Sequence, residues 1–189
     1  MNVLYMALTK TPICNFGEKA KEFNLLSTEN KKISLENIKG ENGTLIMFIC
    51  NHCPYVKAII KDVVEDANFL KKIGINCVAI MSNDVNKYPD DSFNNMISFA
   101  KNHKFSFPYL IDETQNVARS YGAVCTPDFF GYNKDLELQY RGRIRELKEL
   151  KPVRAGDSDL RNAMKLVSKS GKGPTNQIPS MGCSIKWFE

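Results

Sequence analysis

No stretch of this chain stays apolar for the roughly 20 residues that a membrane span needs. The longest apolar run, Leu45–Cys50, has only the length of a strand. No basic run is interleaved with aromatics, and neither helix-turn-helix nor zinc-finger spacing occurs, so no nucleic-acid partner is expected. Internal repeats and low-complexity segments are also missing. The opening, MNVLYMALTKTPICNF, lacks the basic start of a signal peptide, its apolar part is short, and Lys10 interrupts it. A cytoplasmic protein is the expectation. A second C-x-x-C or a paired histidine, which four-ligand zinc sites usually show, is missing as well.

What is present is ordinary globular material. Of 189 residues, 43% are hydrophobic and 25% charged, enough to bury one core without staples. We expect a single domain over 1–189, with a tail, 171–189, packed on or near it. The net charge of +5 is mild and spread along the chain. Six cysteines stand at 14, 50, 53, 77, 125 and 183. The chain is neither small nor cysteine-dense, so redox or metal chemistry at a few of them is a better reading than a disulfide scaffold.

The periodicity alternates between strand and helix. Phe23–Leu26 and Ile33–Leu35 read as short strands around a polar turn. Thr44–Cys50 is a continuous apolar run that suits a central strand covered on both faces. Tyr55, Val56, Ile59, Ile60, Val63, Val64, Ala67 and Leu70 then recur at helical spacing until Gly74. Ile75–Met81 is a second buried strand. A helix follows with Phe93, Met96, Ile97, Phe99 and Ala100, capped from Asp90, Asp91 or Ser92. Phe107–Ile111 is a strand and Thr114–Tyr121 a short helix. A hairpin around Asn133–Asp135 and a last helix capped by Asp157 or Ser158 complete the order. Strands alternating with helices predict an α/β fold with helices on both faces of the sheet. The tail is rich in turn residues and ends in Ile185–Phe188, apolar enough to dock.

The informative motif is Cys50-Asn51-His52-Cys53. A buried strand ends at Cys50 and a long amphipathic helix begins within a few residues. The pair is therefore expected on the first turn of that helix, where unpaired N–H groups and the helix dipole favour a thiolate. Cysteines so spaced can close a disulfide. Cys50, the first, is the natural attacker, and Cys53 resolves the mixed disulfide. His52, if protonated, would tune the pair by stabilising a thiolate further. Pro54 is tolerated because a first-turn residue needs no N–H bond. Two other readings stay open: a metal site and an inert structural pair.

A strand, a C-x-x-C, a long helix and a Thr-Pro before a β-hairpin resemble the thioredoxin fold. The stretches Cys50–Lys57, Ser82–Asp84, Tyr88–Ser92, Pro108–Phe130, Arg141–Ile144 and Pro179–Trp187 resemble the peroxiredoxin-like thioredoxin-fold family, the redoxins or alkyl hydroperoxide reductase/thiol-specific antioxidant domain. The resemblance implies a thioredoxin-like α/β fold, with a central mixed sheet flanked by helices on both faces. It implies a cis bond between Thr126 and Pro127, opposite the cysteine pair, and a Thr126 backbone that bonds an extended substrate peptide. It implies an oxidoreductase that needs no cofactor and acts on protein or low-molecular-weight disulfides, or on peroxide.

The family's peroxidatic pattern is incomplete here. With Cys53 laid on the peroxidatic cysteine, Cys50 stands where Thr or Ser belongs and Ile46 where Pro belongs. Arg119, Arg141 and Arg143 are only candidates for the arginine that polarises a peroxide. Disulfide exchange is therefore favoured over a peroxidase with Cys53 peroxidatic and Cys50 resolving. Cys125 and Cys183 are candidate third thiols, with packed or plain tail residues as the simpler expectation. Cys77 is expected in the core. Asp90 and Asp91 read as turn and cap carboxylates, and His103 as a surface residue.

Overall fold

In the computed structural model, which describes residues 8–189, the first strand is β1 (Leu8–Lys10). The seven residues before it, part of the segment compared above with a signal peptide, lie outside the described residues. Then come β2 (Asn24–Ser27), β3 (Lys32–Ser34), the one-turn helix α1 (Leu35–Ile38) and β4 (Gly43–Phe48). The long helix α2 (Pro54–Lys72), β5 (Ile75–Met81), α3 (Phe93–Asn102), β6 (Tyr109–Ile111) and α4 (Asn116–Tyr121) follow. The chain continues with β7 (Cys125–Thr126), β8 (Asp128–Tyr132), β9 (Leu138–Tyr140) and the small hairpin β10 (Leu147–Lys148) and β11 (Lys151–Pro152). Helix α5 (Asp159–Ser170) and β12 (Met181–Ser184) close it.

Seven strands form the main sheet in the order β3-β2-β6-β5-β4-β8-β9. β4, β5 and β6 run parallel, and β8 pairs antiparallel with β4. The apolar run of β4 is central because both of its faces are covered, which is why it shows no alternation in sequence. Leu45 and Met47 pack with Val56, Ile59 and Val63 of α2 and with Met164 and Val167 of α5. Ile46 and Phe48 point the other way, to Leu35 and Ile38 of α1 and Ala118 and Tyr121 of α4. Each of these fully buried aliphatic side chains contributes on the order of 2 kcal/mol through burial. The thioredoxin-like arrangement expected from the resemblance, a mixed sheet with helices on both faces, is the one formed.

Some boundaries move. Leu35, expected in a strand, opens α1, because Ser34 and Asn37 form a reciprocal capping box. The hairpin expected around Asn133–Asp135 forms between β8 and the short β9, and Leu136 takes a left-handed conformation at φ 57° in its turn. β12, expected as a turn-rich tail, is a strand. It lies between β1 and β7 in a separate three-stranded sheet, with Cys183 opposite Thr126 on one side and Leu8 on the other. No helix among the described residues is long and apolar enough to cross a membrane.

Candidate active site

Just past the end of the central strand β4 come Ile49 and Cys50, and α2 starts four residues after Cys50. Pro54 occupies the first position of the helix, where its fixed φ suits the turn and its missing N–H costs nothing. The helix therefore begins one residue after the motif. Cys53 is its N-cap, and Cys50 stands in the loop before it. Neither lies on the first turn itself.

Both thiols are fully buried. Cys50 Sγ lies 3.3 Å from Thr126 Oγ1, and Cys53 Sγ lies 3.2 Å from the Thr126 carbonyl oxygen. The Thr126–Pro127 bond is cis, as the resemblance implies, so the two cysteines face the strand end that carries it. Cys183 arrives from β12 and sets its Sγ 2.8 Å from that of Cys53. A disulfide bond would need about 2.05 Å.

This crowding separates the thiols electrically. Hydrogen bonds from the Cys183 and Cys50 thiols, and then from the Val56 N–H in the first turn, hold Cys53 well below the ordinary thiol range, against its burial. Burial pushes Cys50 well above it, and the neighbouring Cys53 and Asp91 push the same way. Cys183 is raised by its bond to Cys53 first and by burial second. Neutral Cys53 donates to the Thr126 carbonyl. Ionised, it loses that single neutral bond and accepts several charge-assisted ones, which are about twice as strong each. The balance favours a thiolate at Cys53.

His52 does not face the thiols through a hydrogen bond. Its Nδ1 lies 2.6 Å from Asp91 Oδ2, and its ring stacks on Tyr88 at 5.3 Å. Asp91 is a hub that sequence reading passed over as a turn carboxylate. Fully buried, it also accepts from the Asn51 and His52 N–H groups and from the Asn83 amide, and so fixes the loop that holds Cys50. His52 Nε2 is left buried with no hydrogen-bond partner among the described residues. Tyr109 completes the support by donating to Asn51 Oδ1 at 3.0 Å.

Cys50, His52 and Asp91 offer three mixed donors within 4.8 Å of one another. The carboxylate of that set is already engaged by four hydrogen bonds, which a metal would have to displace. Cys125 turns away from the pair toward the Pro127 carbonyl at 3.6 Å, and burial drives its thiol upward. Cys77 lies in the core on β5, with its thiol likewise raised by burial. The candidate arginines go elsewhere. Arg119 stacks on Trp187, Arg143 pairs with Asp159, and Arg141 forms a buried pair with Asp128 beneath Pro127. Among the described residues, no arginine hydrogen-bonds either motif thiol.

A groove of about 220 Å³ opens beside the pair, lined by Tyr55, Ile59, Pro127, Ile144, Ile178 and Met181 among others. It borders the cis-proline but leaves the three sulfurs covered.

Comparison with known proteins finds relatives over most of the chain. An uncharacterized conserved protein of Geobacillus kaustophilus is 39% identical, with 98% of each chain covered and a TM-score of 0.92. The thiol-disulfide oxidoreductase ResA of Bacillus thuringiensis subsp. konkukian (strain 97-27) is 26% identical over 140 residues, 74% of this chain and 73% of that one. The thioredoxin domain of a thiol-disulfide oxidoreductase from Bacteroides vulgatus shares the fold, with a TM-score of 0.57 at 15% identity, covering 67% of this chain and 86% of that one. Residues 16–147 match the AhpC/TSA family, and with that match over most of its length the chain belongs to this family of thioredoxin-fold redox proteins.

Proposed function

We propose that this protein is a thiol–disulfide oxidoreductase in which Cys53 and Cys50 exchange disulfides with an extended polypeptide or a low-molecular-weight disulfide. The observation that carries the reading is the seating of both sulfurs against Thr126 beside the cis-proline, with Cys53 alone stabilised as a thiolate. The order of the thiols is then the reverse of the sequence expectation. Cys53 thiolate attacks one sulfur of the substrate disulfide, and the other leaves as a thiolate. Cys50 gives up its proton, attacks the Cys53 sulfur of the mixed disulfide and releases the second substrate thiol. The substrate loses its disulfide and the protein gains one. Run backwards, the same steps oxidise a dithiol.

Peroxide reduction is the second reading, and family membership is what favours it. Against it stand the cysteine in place of Thr or Ser at position 50 and arginines committed to Trp187, Asp128 and Asp159. A single domain acting in the cytoplasm is part of the proposal. The unpaired buried Cys77 and Cys125 support a reducing compartment.

The test is reduction of insulin by the protein with a dithiol as electron source. Cys53→Ser is expected to abolish turnover. Cys50→Ser is expected to slow turnover, while its Cys53 still reacts with the substrate disulfide. Failure of the wild type to reduce any disulfide, together with peroxide consumption that needs only Cys53, would replace this reading with the peroxidase one.

A further inference from the structure

The tail strand β12 occupies the place where the fold would receive an extended substrate. Its Cys183 pairs in register with Thr126, the residue before the cis-proline. Ser180 donates its hydroxyl to the Pro127 carbonyl at 2.8 Å, and Ile185 N–H reaches the Val124 carbonyl at 3.1 Å. Gly182 is required for this fit, because a Cβ there would run into the Thr126 carbonyl oxygen and touch the Pro127 ring. The strand thus lies flat across the cis-proline. It presents a cysteine to Cys53 as a bound disulfide-containing peptide would, with the two sulfurs 2.8 Å apart.

A buried cysteine is often no more than a small apolar residue. Three features set Cys183 apart from that case. Its sulfur touches the one sulfur stabilised as an anion. The register that places it there is fixed by pairing on both edges of β12. The glycine beside it lets the strand lie against the Thr126 carbonyl, where a Cβ would not fit.

We propose that Cys183 is a third catalytic thiol and that a Cys53–Cys183 disulfide is a working state of the protein, an inference that rests on the redox reading of the Cys50–Cys53 pair. Starting from the Cys50–Cys53 disulfide, Cys183 loses its proton and attacks Cys53 Sγ. The Cys53–Cys183 bond forms as the Cys50–Cys53 bond breaks. The bonding pair leaves on Cys50, which takes up a proton. One disulfide is exchanged for another, so no outside oxidant or reductant is consumed. In the reduction of a substrate disulfide, the mixed disulfide between Cys53 and the substrate can be resolved by Cys183, which gives up its proton and forms the Cys53–Cys183 bond as the substrate leaves as a thiolate and takes up a proton. Cys53 is then the shared sulfur, with one partner in the loop before the helix and one in the tail strand.

The experiment is linkage mapping of the full-length protein, oxidised across a dithiothreitol redox series, blocked with N-ethylmaleimide and digested with trypsin without reduction. One tryptic peptide, 40–57, carries both Cys50 and Cys53, and another, 173–186, carries Cys183. The proposal expects these two peptides joined in the oxidised wild type. The joined species becomes the main oxidised form in Cys50→Ser and is absent in Cys53→Ser. A wild type holding only the linkage within 40–57, with Cys183 alkylated throughout and no internal disulfide in Cys50→Ser, would overturn the proposal and leave the Cys50–Cys53 reading intact. A 40–57 to 173–186 linkage that survives Cys53→Ser would run through Cys50 and would also overturn it. No internal disulfide in any of the proteins would end both readings.

Discussion

Replacing Cys183 with alanine removes the main stabiliser of the Cys53 thiolate while leaving Cys50, Thr126 and the first turn of α2 in place. A hydrogen bond to a charged group contributes about 1.5–3 kcal/mol. One pKa unit corresponds to about 1.4 kcal/mol. The Cys53 pKa in Cys183→Ala should therefore rise by about 1–2 units, because the lost bond favoured only the ionised form. Cys183→Ser keeps a donor at the same distance and should move it less. The assay is ultraviolet thiolate absorbance of the fully reduced protein against pH, with the Cys53→Ser curve subtracted to isolate one sulfur. The reasoning fails if the wild-type thiolate titrates in the ordinary range near pH ~8.5 and Cys183→Ala leaves it there. It fails equally if the low-pH signal vanishes in Cys50→Ser but not in Cys53→Ser.

The same thiolate makes the reduced protein's stability depend on pH. Cys53 is deprotonated when folded and protonated when unfolded between its lowered pKa and about pH 8.5, so the unfolded state binds more protons there and stability rises with pH. Denaturant titrations should show wild type gaining up to about 1.4 kcal/mol per pH unit over Cys53→Ser in that window, and the difference should shrink as pH falls through the folded pKa. Gly182→Val should lift β12 from Thr126, lower stability by about 2–3 kcal/mol and speed alkylation of Cys53; an unchanged alkylation rate would refute the close approach. Asp91→Ala strands two N–H groups, an imidazole and an amide around the Cys50 loop. We expect a loss of about 3–5 kcal/mol, read as a fall in the denaturation midpoint, and a change below about 1 kcal/mol would mean that water replaces the carboxylate.

Much of the main sheet is visible in the sequence because β4, α2 and β5 each carry one unbroken signal: a doubly covered apolar run, a helical stripe ended by Gly74, and a second apolar run. The motif pair is visible for the same reason, since its partners are neighbours in the chain. β12 is not. Met-Gly-Cys-Ser has no alternation and a residue that weakens strands; it becomes a strand only because β1 and β7 offer edges on either side. Asp91 is hidden differently. As Pro-Asp-Asp before a helix it looks like a cap, whereas Ser92 does the capping and Asp91 bonds a loop 40 positions upstream. The proposed order of the thiols rests on contacts that the sequence hides, above all the Cys183 thiol that β12 brings to Cys53 from 130 positions away.

The place of β12 as a middle strand has a kinetic consequence. An edge strand can fray alone, but β12 is bonded to β1 on one side and β7 on the other. Uncovering Cys53 therefore requires β12 either to break hydrogen bonds on both sides or to swing out with β1 still paired to it, and either opening costs more than the fraying of an edge strand. Amide hydrogens of β12 should then exchange more slowly than those of the edge strand β1. Turnover on any substrate that must reach Cys53 from outside could not exceed that opening rate.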